Sequence, residues 1–306
     1  MKQELLRVGT EILKLQEASL ASFFDFFYIL WYNVRTNWDG VCMEKVKIFE
    51  TGNKFGNMNT QARFYPDGST QEERNAWFLA RRMMAGREFG FDGHKMFMAD
   101  QVHKNGSYFE ITEDYVRENP NGWSDIPEDI LIISENVPGV VIGHSVADCP
   151  VVMMEDPIKG VSAVAHCSVE MIDKRLPMML ADALVAAYGS NEEDIITYVS
   201  ACAGDNWTYN TFPKWALDTK MWEEGIYEEN GIFHIDMRRV IRKQLEERHI
   251  DLSNVTFNMD DTITNPNYYS NSAASPYGLN DSSKSGRHFA GLFYPKTKQL
   301  VKELSK

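Results

Sequence analysis

The sequence predicts a mixed α/β (α+β) fold in which several hairpins contribute to mixed sheets. Short apolar runs rich in Val and Ile alternate with amphipathic segments through residues 42–306, and Gly, Pro and Asn separate the runs. Two neighbouring runs, Val146–Val152 and Gly160–Cys167, flank an Asp-Pro turn and therefore predict a β-hairpin.

The remaining elements follow from caps and periodicity. Thr70 and Glu73 have the spacing of a capping box, and Ser168 is also a suitable cap. They predict helices at residues 70–86 and 168–189, and a basic-faced helix is predicted at residues 236–248. Further strands are predicted at residues 41–50, 95–102, 108–112, 129–134, 139–145, 195–200, 255–258 and 288–294, with a polar, turn-rich segment at 260–285.

Residues 1–41 are predicted to form a separate N-terminal helical extension to the main domain, residues 42–306. Aromatic residues dominate its apolar run from Phe23 to Tyr32. We expect such a face to be covered by the main domain or by a second copy of the chain, giving a homo-oligomer. Asp25 interrupts the run, which is about half the ~20 residues that a membrane span needs, so no membrane partner is expected.

The net charge bears on nucleic-acid binding, and the cysteine spacing bears on the redox state of the thiols. Lys and Arg number 31 against 44 Asp and Glu, a net charge of −13, and no long basic run occurs, which excludes nucleic acid as a partner. The four cysteines, Cys42, Cys149, Cys167 and Cys202, lack Cys-x-x-Cys spacing, and we expect no cleavable signal. They are interpreted as reduced thiols of a cytoplasmic protein.

The predicted hairpin brings a thiol and an imidazole together. If Cys149 opposes His166, the turn is centred between Pro157 and Ile158, where the turn residues lie. Opposed residues share a face with Cβ atoms roughly 5 Å apart. Such a pair supports either a metal site or a nucleophile–base dyad.

Five short motifs occur in the order and spacing of a known family. They are Gln101-Val102-His103, Asp129-Ile130-Leu131-Ile132, Ala147-Asp148-Cys149-Pro150-Val151, Val164-Ala165-His166 and Ser285-Gly286-Arg287. The set resembles the polyphenol oxidase laccases, now regarded as multifunctional purine nucleoside phosphorylases, over about residues 42–295. The resemblance implies a layered α/β/β/α sandwich with mixed sheets, related to the cytotoxic necrotizing factor deamidases.

The resemblance also implies a site. His103, Cys149 and His166 match the family residues that bind one zinc ion, so they are the expected metal ligands and catalytic residues. Arg287 matches a family cation and is expected to contact an anion or a purine. The implied reactions are phosphorolysis of adenosine, inosine, guanosine and methylthioadenosine, and adenosine deamination.

The chain departs from the family at three positions where arginine is usual. These positions fall in Thr51-Gly52-Asn53, Cys167-Ser168-Val169-Glu170-Met171 and Tyr269-Ser270-Asn271-Ser272-Ala273. Arginine binds phosphate in a bidentate manner, so its loss weakens the case for phosphorolysis more than the case for zinc.

Several chemistries fit these residues. Zinc with three protein ligands and one open position generates hydroxide, which suits deamination at a purine C6. A metal-free dyad of Cys149 and His166 would make a hydrolase or deamidase, but it leaves His103 unused. An inactive, metal-stabilised binding protein is the third alternative, and copper fits less well because the histidines are few. Asp148, His144 and Cys167 are interpreted as structural.

Overall fold

The computed structural model describes residues 43, 45–99, 106–122, 125–216, 220–275 and 281–296. The predicted N-terminal extension lies outside these residues, and so does His103. Within the described part of the chain, no helix combines the length and the apolar character of a membrane span.

Two mixed sheets face each other at the centre of the described domain. The strands are β1 (Lys47–Glu50), β2 (Met96–Ala99), β3 (Tyr108–Ile111), β4 (Asp125–Ile126), β5 (Ile130–Ser134), β6 (Val141–Val146), β7 (Val151–Asp156), β8 (Val161–His166), β9 (Ile196–Val199), β10 (Trp207–Tyr209), β11 (Ile226–Glu229), β12 (Ile232–Ile235), β13 (Val255–Phe257) and β14 (His288–Phe293). The first sheet has the order β1-β14-β6-β2-β4, and the second has the order β13-β9-β7-β8-β5-β3. Hydrogen bonds join the facing layers, from Tyr198 Oη to Glu50 Oε1 and between Ser162 Oγ and Tyr294 Oη, each 2.9 Å long.

Helices cover the outer faces of both sheets. They are α1 (Gln71–Phe89), α2 (Glu113–Glu118), α3 (Val169–Asp173), α4 (Leu176–Tyr188), α5 (Met237–Glu247) and α6 (Asn271–Ala274). Helix α1 packs Phe78 and Ala85 on Phe289 of the first sheet, whereas α4 and α5 share a buried core with the second sheet. The predicted α/β/β/α layering and mixed sheets are confirmed.

The capping box at the start of α1 forms as predicted. The Glu73 N–H donates to Thr70 Oγ1 at 3.2 Å, and the Thr70 N–H donates to Glu73 Oε2 at 2.8 Å. The helix ends at Phe89, three residues beyond the predicted end at Gly86. Gly90 follows it in the left-handed conformation, with φ 89°.

The helix predicted at 168–189 is instead two helices, α3 and α4. Arg175 lies between them in the left-handed conformation, with φ 64°. Pro177 explains the break, because proline has no N–H and its ring clashes with the preceding turn in a helix interior. In the first turn of α4 the same residue is tolerated.

The predicted register of the central hairpin was wrong by two residues. Val151 is opposite His166, so the turn is centred between Ile158 and Lys159. Asp156 closes this turn, since its Oδ1 accepts the Ile158 and Lys159 N–H groups, both at 2.9 Å. A shift of two keeps every side chain on its predicted face but leaves Cys149 just before β7, outside the paired strand.

A small third sheet, with the order β10-β12-β11, was not predicted. Its core is aromatic: the Trp207 and Trp215 rings stack with centroids 5.7 Å apart, and Trp215 meets Trp222 edge-on at 4.8 Å. Its strands have only three or four residues, too few for a clear alternating pattern.

Candidate functional site

His166 ends β8 on the face that looks toward the first sheet. Alternate residues of β8, Val161, Ala163 and Ala165, belong to the helix-side core, so His166 points the other way. Its ring centroid lies 5.9 Å from that of His144 in β6, across the two layers. His166 is the only residue of β8 that is not fully buried.

Cys149 lies at the same end of the hairpin. The Cys167 N–H, directly after His166, donates to the carbonyl of Pro150, directly after Cys149, at 2.9 Å. The Val169 N–H donates to the Cys149 sulfur. Between Val141 and Asp156, only Ser145 and Cys149 keep part of their surface exposed, so the buried strands open to solvent where the thiol and the imidazole lie.

The surroundings of Cys149 keep its thiol protonated. Burial raises its pKa to about 12, and the negative charge of Asp148 acts in the same direction. Arg287 and the Val169 N–H lower the pKa, but by less. The thiol therefore carries its proton at neutral pH unless a further cation is bound.

Asp148 fixes the backbone that leads into Cys149. Its φ of 79° is in the left-handed region, which Asp tolerates better than most residues. Its Oδ1 accepts the Thr262 hydroxyl at 2.8 Å, and its Oδ2 accepts the Ser272 N–H at 2.6 Å. Lys284 holds the same loop by donating to the Thr262 carbonyl at 3.0 Å. These contacts agree with the structural role that the sequence assigned to Asp148.

Two buried histidines line the layer between the sheets. Burial lowers the pKa of His144 and of His288 to about 3, so both rings are neutral at neutral pH. Among the described residues, neither ring nitrogen of His288 has a hydrogen-bond partner, and Tyr268 packs edge-on against it at 5.0 Å. His144 was expected in the core, whereas no sequence signal marked His288 beyond its place in the last strand.

Arg287 lies close enough to the Cys149 thiol to affect its pKa, and its predicted contact with an anion or a purine stays a prediction. Its positive charge lowers the pKa of Cys149, and its guanidinium lies over the Phe64 ring, 4.8 Å from the centroid. The Asn57 side chain accepts the Arg287 N–H at 2.9 Å, and the Met58 N–H donates to the Arg287 carbonyl at 2.7 Å. The segment around residues 57–64 thus lies against Arg287, which sequence reasoning did not anticipate.

The other described cysteines are free thiols in the core. Cys167 and Cys202 are fully buried, and burial raises the pKa of each. The prediction of reduced thiols agrees with the structure for these two residues and for Cys149, whereas Cys42 lies outside the described residues.

A family model described as multi-copper polyphenol oxidoreductase laccase matches residues 59–293, well over half of the chain. The chain belongs to this family. The match covers Cys149, His166 and Arg287, and it also spans the position of His103.

Solved structures support the same fold for this laccase-family chain. A hypothetical protein YfiH from Bacillus licheniformis superposes with a TM-score of 0.64 at 16% identity, covering 82% of this chain and 93% of that one. YlmD from Geobacillus stearothermophilus gives 0.62 at 15% identity, covering 82% and 91%. The Neisseria meningitidis protein NMB0706 gives 0.57 at 14% identity, covering 84% and 98%. No curated protein was found to match the chain.

The family name refers to copper, but the described residues do not themselves make a metal centre. Among them, no group of three His, Cys, Asp or Glu side chains is placed to hold a metal ion. Cys149 and His166 are two of the three predicted ligands, and the third, His103, lies outside the described residues. The three-ligand set therefore stays a prediction.

Proposed function

We propose that this member of the laccase family is a zinc-dependent enzyme that acts on purine nucleosides, with Cys149, His166 and His103 as the zinc ligands. One observation carries the proposal: a thiol and an imidazole, at two family motif positions, share the end of the hairpin where the buried strands open to solvent.

The donor atoms suit zinc. A thiolate sulfur and imidazole nitrogens are the ligands that catalytic zinc sites use, with one position left open. Zinc binds the thiolate, so binding would displace the proton that the Cys149 thiol otherwise holds with its pKa of about 12. Bound zinc would supply a water whose pKa falls to about 7.

The raised pKa of Cys149 argues against the metal-free dyad of Cys149 and His166. A cysteine nucleophile must be a thiolate to attack. Burial keeps the Cys149 thiol protonated, and Arg287 together with the Val169 N–H offsets only part of this effect. A dyad of Cys149 and His166 without metal would therefore start from the unreactive form.

The surrounding residues position the site. Asp148, through Thr262 and Ser272, holds the backbone at Cys149. His144, neutral and buried, packs beside the His166 ring and limits its movement. A purine nucleoside would lie over the exposed edge of this pair, where either its C6 amino group or its glycosidic bond can be attacked.

Metal content and nucleoside turnover test the proposal together. Protein expressed in metal-replete medium should carry about one zinc per chain by elemental analysis and should convert adenosine to inosine or to adenine. Cys149→Ser and His166→Gln should lose both zinc and turnover. His94→Gln is a matched control, because His94 precedes β2 at the opposite end of the first sheet and should keep both.

The outcomes separate the zinc enzyme from its two alternatives. Full turnover by metal-free protein would refute the zinc assignment and favour the dyad. Zinc-loaded protein that turns over none of the four purine nucleosides would refute the substrate class and favour an inactive binding protein.

A further inference from the structure

Helix α1 carries two stripes of side chains on opposite faces. The inner stripe, which includes Phe78 and Ala85, is buried against the first sheet. At 3.6 residues per turn, a second set of five residues lies within about 80° around the helix on the other face. All five are exposed, and we call them the α1 seam: Glu73, Trp77, Ala80, Met84 and Arg87. Their alternating spacing of four and three residues is the heptad spacing by which two helices pack along each other.

The middle of the α1 seam is apolar. Trp77 exposes 39% of its surface and Met84 exposes 51%, with the exposed Ala80 between them. The outer face of a helix in a globular protein is normally polar. The Tyr65 ring stacks on the Trp77 ring, with centroids 5.4 Å apart, and so holds Trp77 in one orientation. Tryptophan is enriched in binding hot spots, and a side chain that is already ordered loses less entropy when a partner binds.

The two ends of the α1 seam carry opposite charges. Glu73 lies in the first turn, where the Thr70 N–H donates to its Oε2, lowers its pKa and keeps the carboxylate charged at neutral pH. Arg87 lies in the last turn, and the ion pairs among the described residues include none to it. A seam that is negative at one end and positive at the other is complementary to its own copy in the antiparallel direction.

A two-fold axis beside Ala80 gives the other seam residues partners as well. Antiparallel pairing about this axis places Glu73 opposite Arg87 of the partner subunit, and Trp77 opposite Met84 of the partner subunit. The small Ala80 side chain lets the two helices approach closely, and sulfur packs favourably against an aromatic ring. Arg81, beside the seam, is held to one side because its Nη1 donates to the Asn57 carbonyl at 2.7 Å and to the Tyr65 hydroxyl at 2.9 Å.

We infer that the protein forms a symmetric dimer in which the α1 seams of two copies pack antiparallel. The seam is about 21 Å long, which gives a small interface and a weak, concentration-dependent dimer. The inference depends neither on zinc nor on nucleoside turnover. It is also independent of residues 1–41, whose aromatic run led to the sequence-based expectation of a homo-oligomer.

Sedimentation equilibrium of the full chain, at concentrations up to about 100 µM, tests the inference. Salt at about 0.15 M screens the repulsion between two subunits of net charge −13. Met84→Glu puts a charge opposite Trp77 of the partner subunit and should raise the dimer dissociation constant about thirtyfold or more. Met259→Glu is the matched control, because Met259 is 69% exposed and lies outside α1, so its dissociation constant should equal that of wild-type protein.

Exchanging the end charges tests the antiparallel direction. Arg87→Glu puts two carboxylates together at each end of the paired seams and should weaken the dimer about tenfold. Adding Glu73→Lys to Arg87→Glu restores opposite charges in exchanged positions and should bring the dissociation constant back to within about threefold of wild-type protein. Circular dichroism checks that the helix content of each variant is unchanged.

Four results would overturn the inference. They are a wild-type protein that stays monomeric over the whole concentration range, a Met84→Glu protein that dimerises as well as wild-type protein, an equal loss in Met259→Glu, and no recovery when Glu73→Lys is added to Arg87→Glu. A dimer that persists in Met84→Glu would place the interface on another surface, such as the N-terminal extension.

Discussion

Replacing Asp148 tests whether the left-handed turn before Cys149 is held by side-chain hydrogen bonds. Asp148→Ala removes the acceptor of the Thr262 hydroxyl and of the Ser272 N–H. It also places alanine at φ 79°. Asp148→Asn keeps one acceptor oxygen and a residue that tolerates this conformation, so the pair of variants separates the two effects.

The expected loss in Asp148→Ala is about 3 kcal/mol in the free energy of unfolding. Thr262 is fully buried, and leaving such a donor unpaired costs about 1–3 kcal/mol. The Ser272 N–H lies in the first turn of α6, where losing a partner costs about 0.5–1 kcal/mol. The left-handed alanine adds about 1 kcal/mol. Asp148→Asn should lose about half as much, because one hydrogen bond and the backbone tolerance remain.

Urea unfolding followed by tryptophan fluorescence measures this loss. Asp67→Ala, an exposed turn residue, is the control and should stay within about 0.5 kcal/mol of wild-type protein. Adenosine turnover should fall further in Asp148→Ala than in Asp148→Asn, because only the former releases the backbone that positions Cys149. An Asp148→Ala protein as stable as the Asp67 control would refute this account of the turn.

Three further changes test other parts of the fold by the same urea measurement. The pKa of His288 is about 3 rather than 6.5, so on acidification the unfolded chain takes up this proton first and stability is lost below about pH 6.5. His288→Leu should therefore reduce the decline between pH 6.5 and pH 5 by about 1 kcal/mol per pH unit, and an unchanged decline would contradict the assignment. Thr70→Ala should cost about 1 kcal/mol by removing the cap of α1; no loss would mean that the capping box does not stabilise the helix. Gly143→Ala should cost about 1–3 kcal/mol, because an added Cβ would lie 2.3 Å from the Ala290 carbonyl oxygen of the paired strand. Gly68→Ala, where nothing lies within 4 Å of the added Cβ, should cost only the strain of alanine at φ 82°, about 1 kcal/mol, and a loss in Gly143→Ala below this value would contradict the clash.

The sequence predicted those elements whose signals are local. The capping box at Thr70 and the apolar runs of β5 to β8 depend only on neighbouring residues, and all of them form. The register of the hairpin and the break at Arg175 were missed, because each depends on how one turn closes: Asp156 accepts two turn N–H groups, and Pro177 starts a new helix. The third sheet was missed because its strands are too short to alternate visibly.

The candidate site likewise contains some residues that local sequence signals predict and others that they do not. Cys149 and His166 are close along one hairpin, so their proximity could be inferred from turn residues alone, even with the register wrong by two. His288 and Arg63 reach the site through contacts between distant parts of the chain: β14 pairs with β6, and Arg287 lies over the ring of Phe64, the neighbour of Arg63. Residue patterns hold no information on such contacts until the sheets are paired.

A comparison of the chain with its family at the motif positions alone misses arginines that other segments bring to the site. Losing arginine at three family positions removes particular side chains, but a guanidinium on its long, flexible stem can reach the same volume from another backbone. Here the short segment around Arg63 and Phe64 lies against Arg287, and α1 contributes Arg81. The absence of arginine from the motif positions therefore does not by itself exclude a phosphate ligand. Adenosine turnover measured with and without added inorganic phosphate tests whether phosphate belongs to this site.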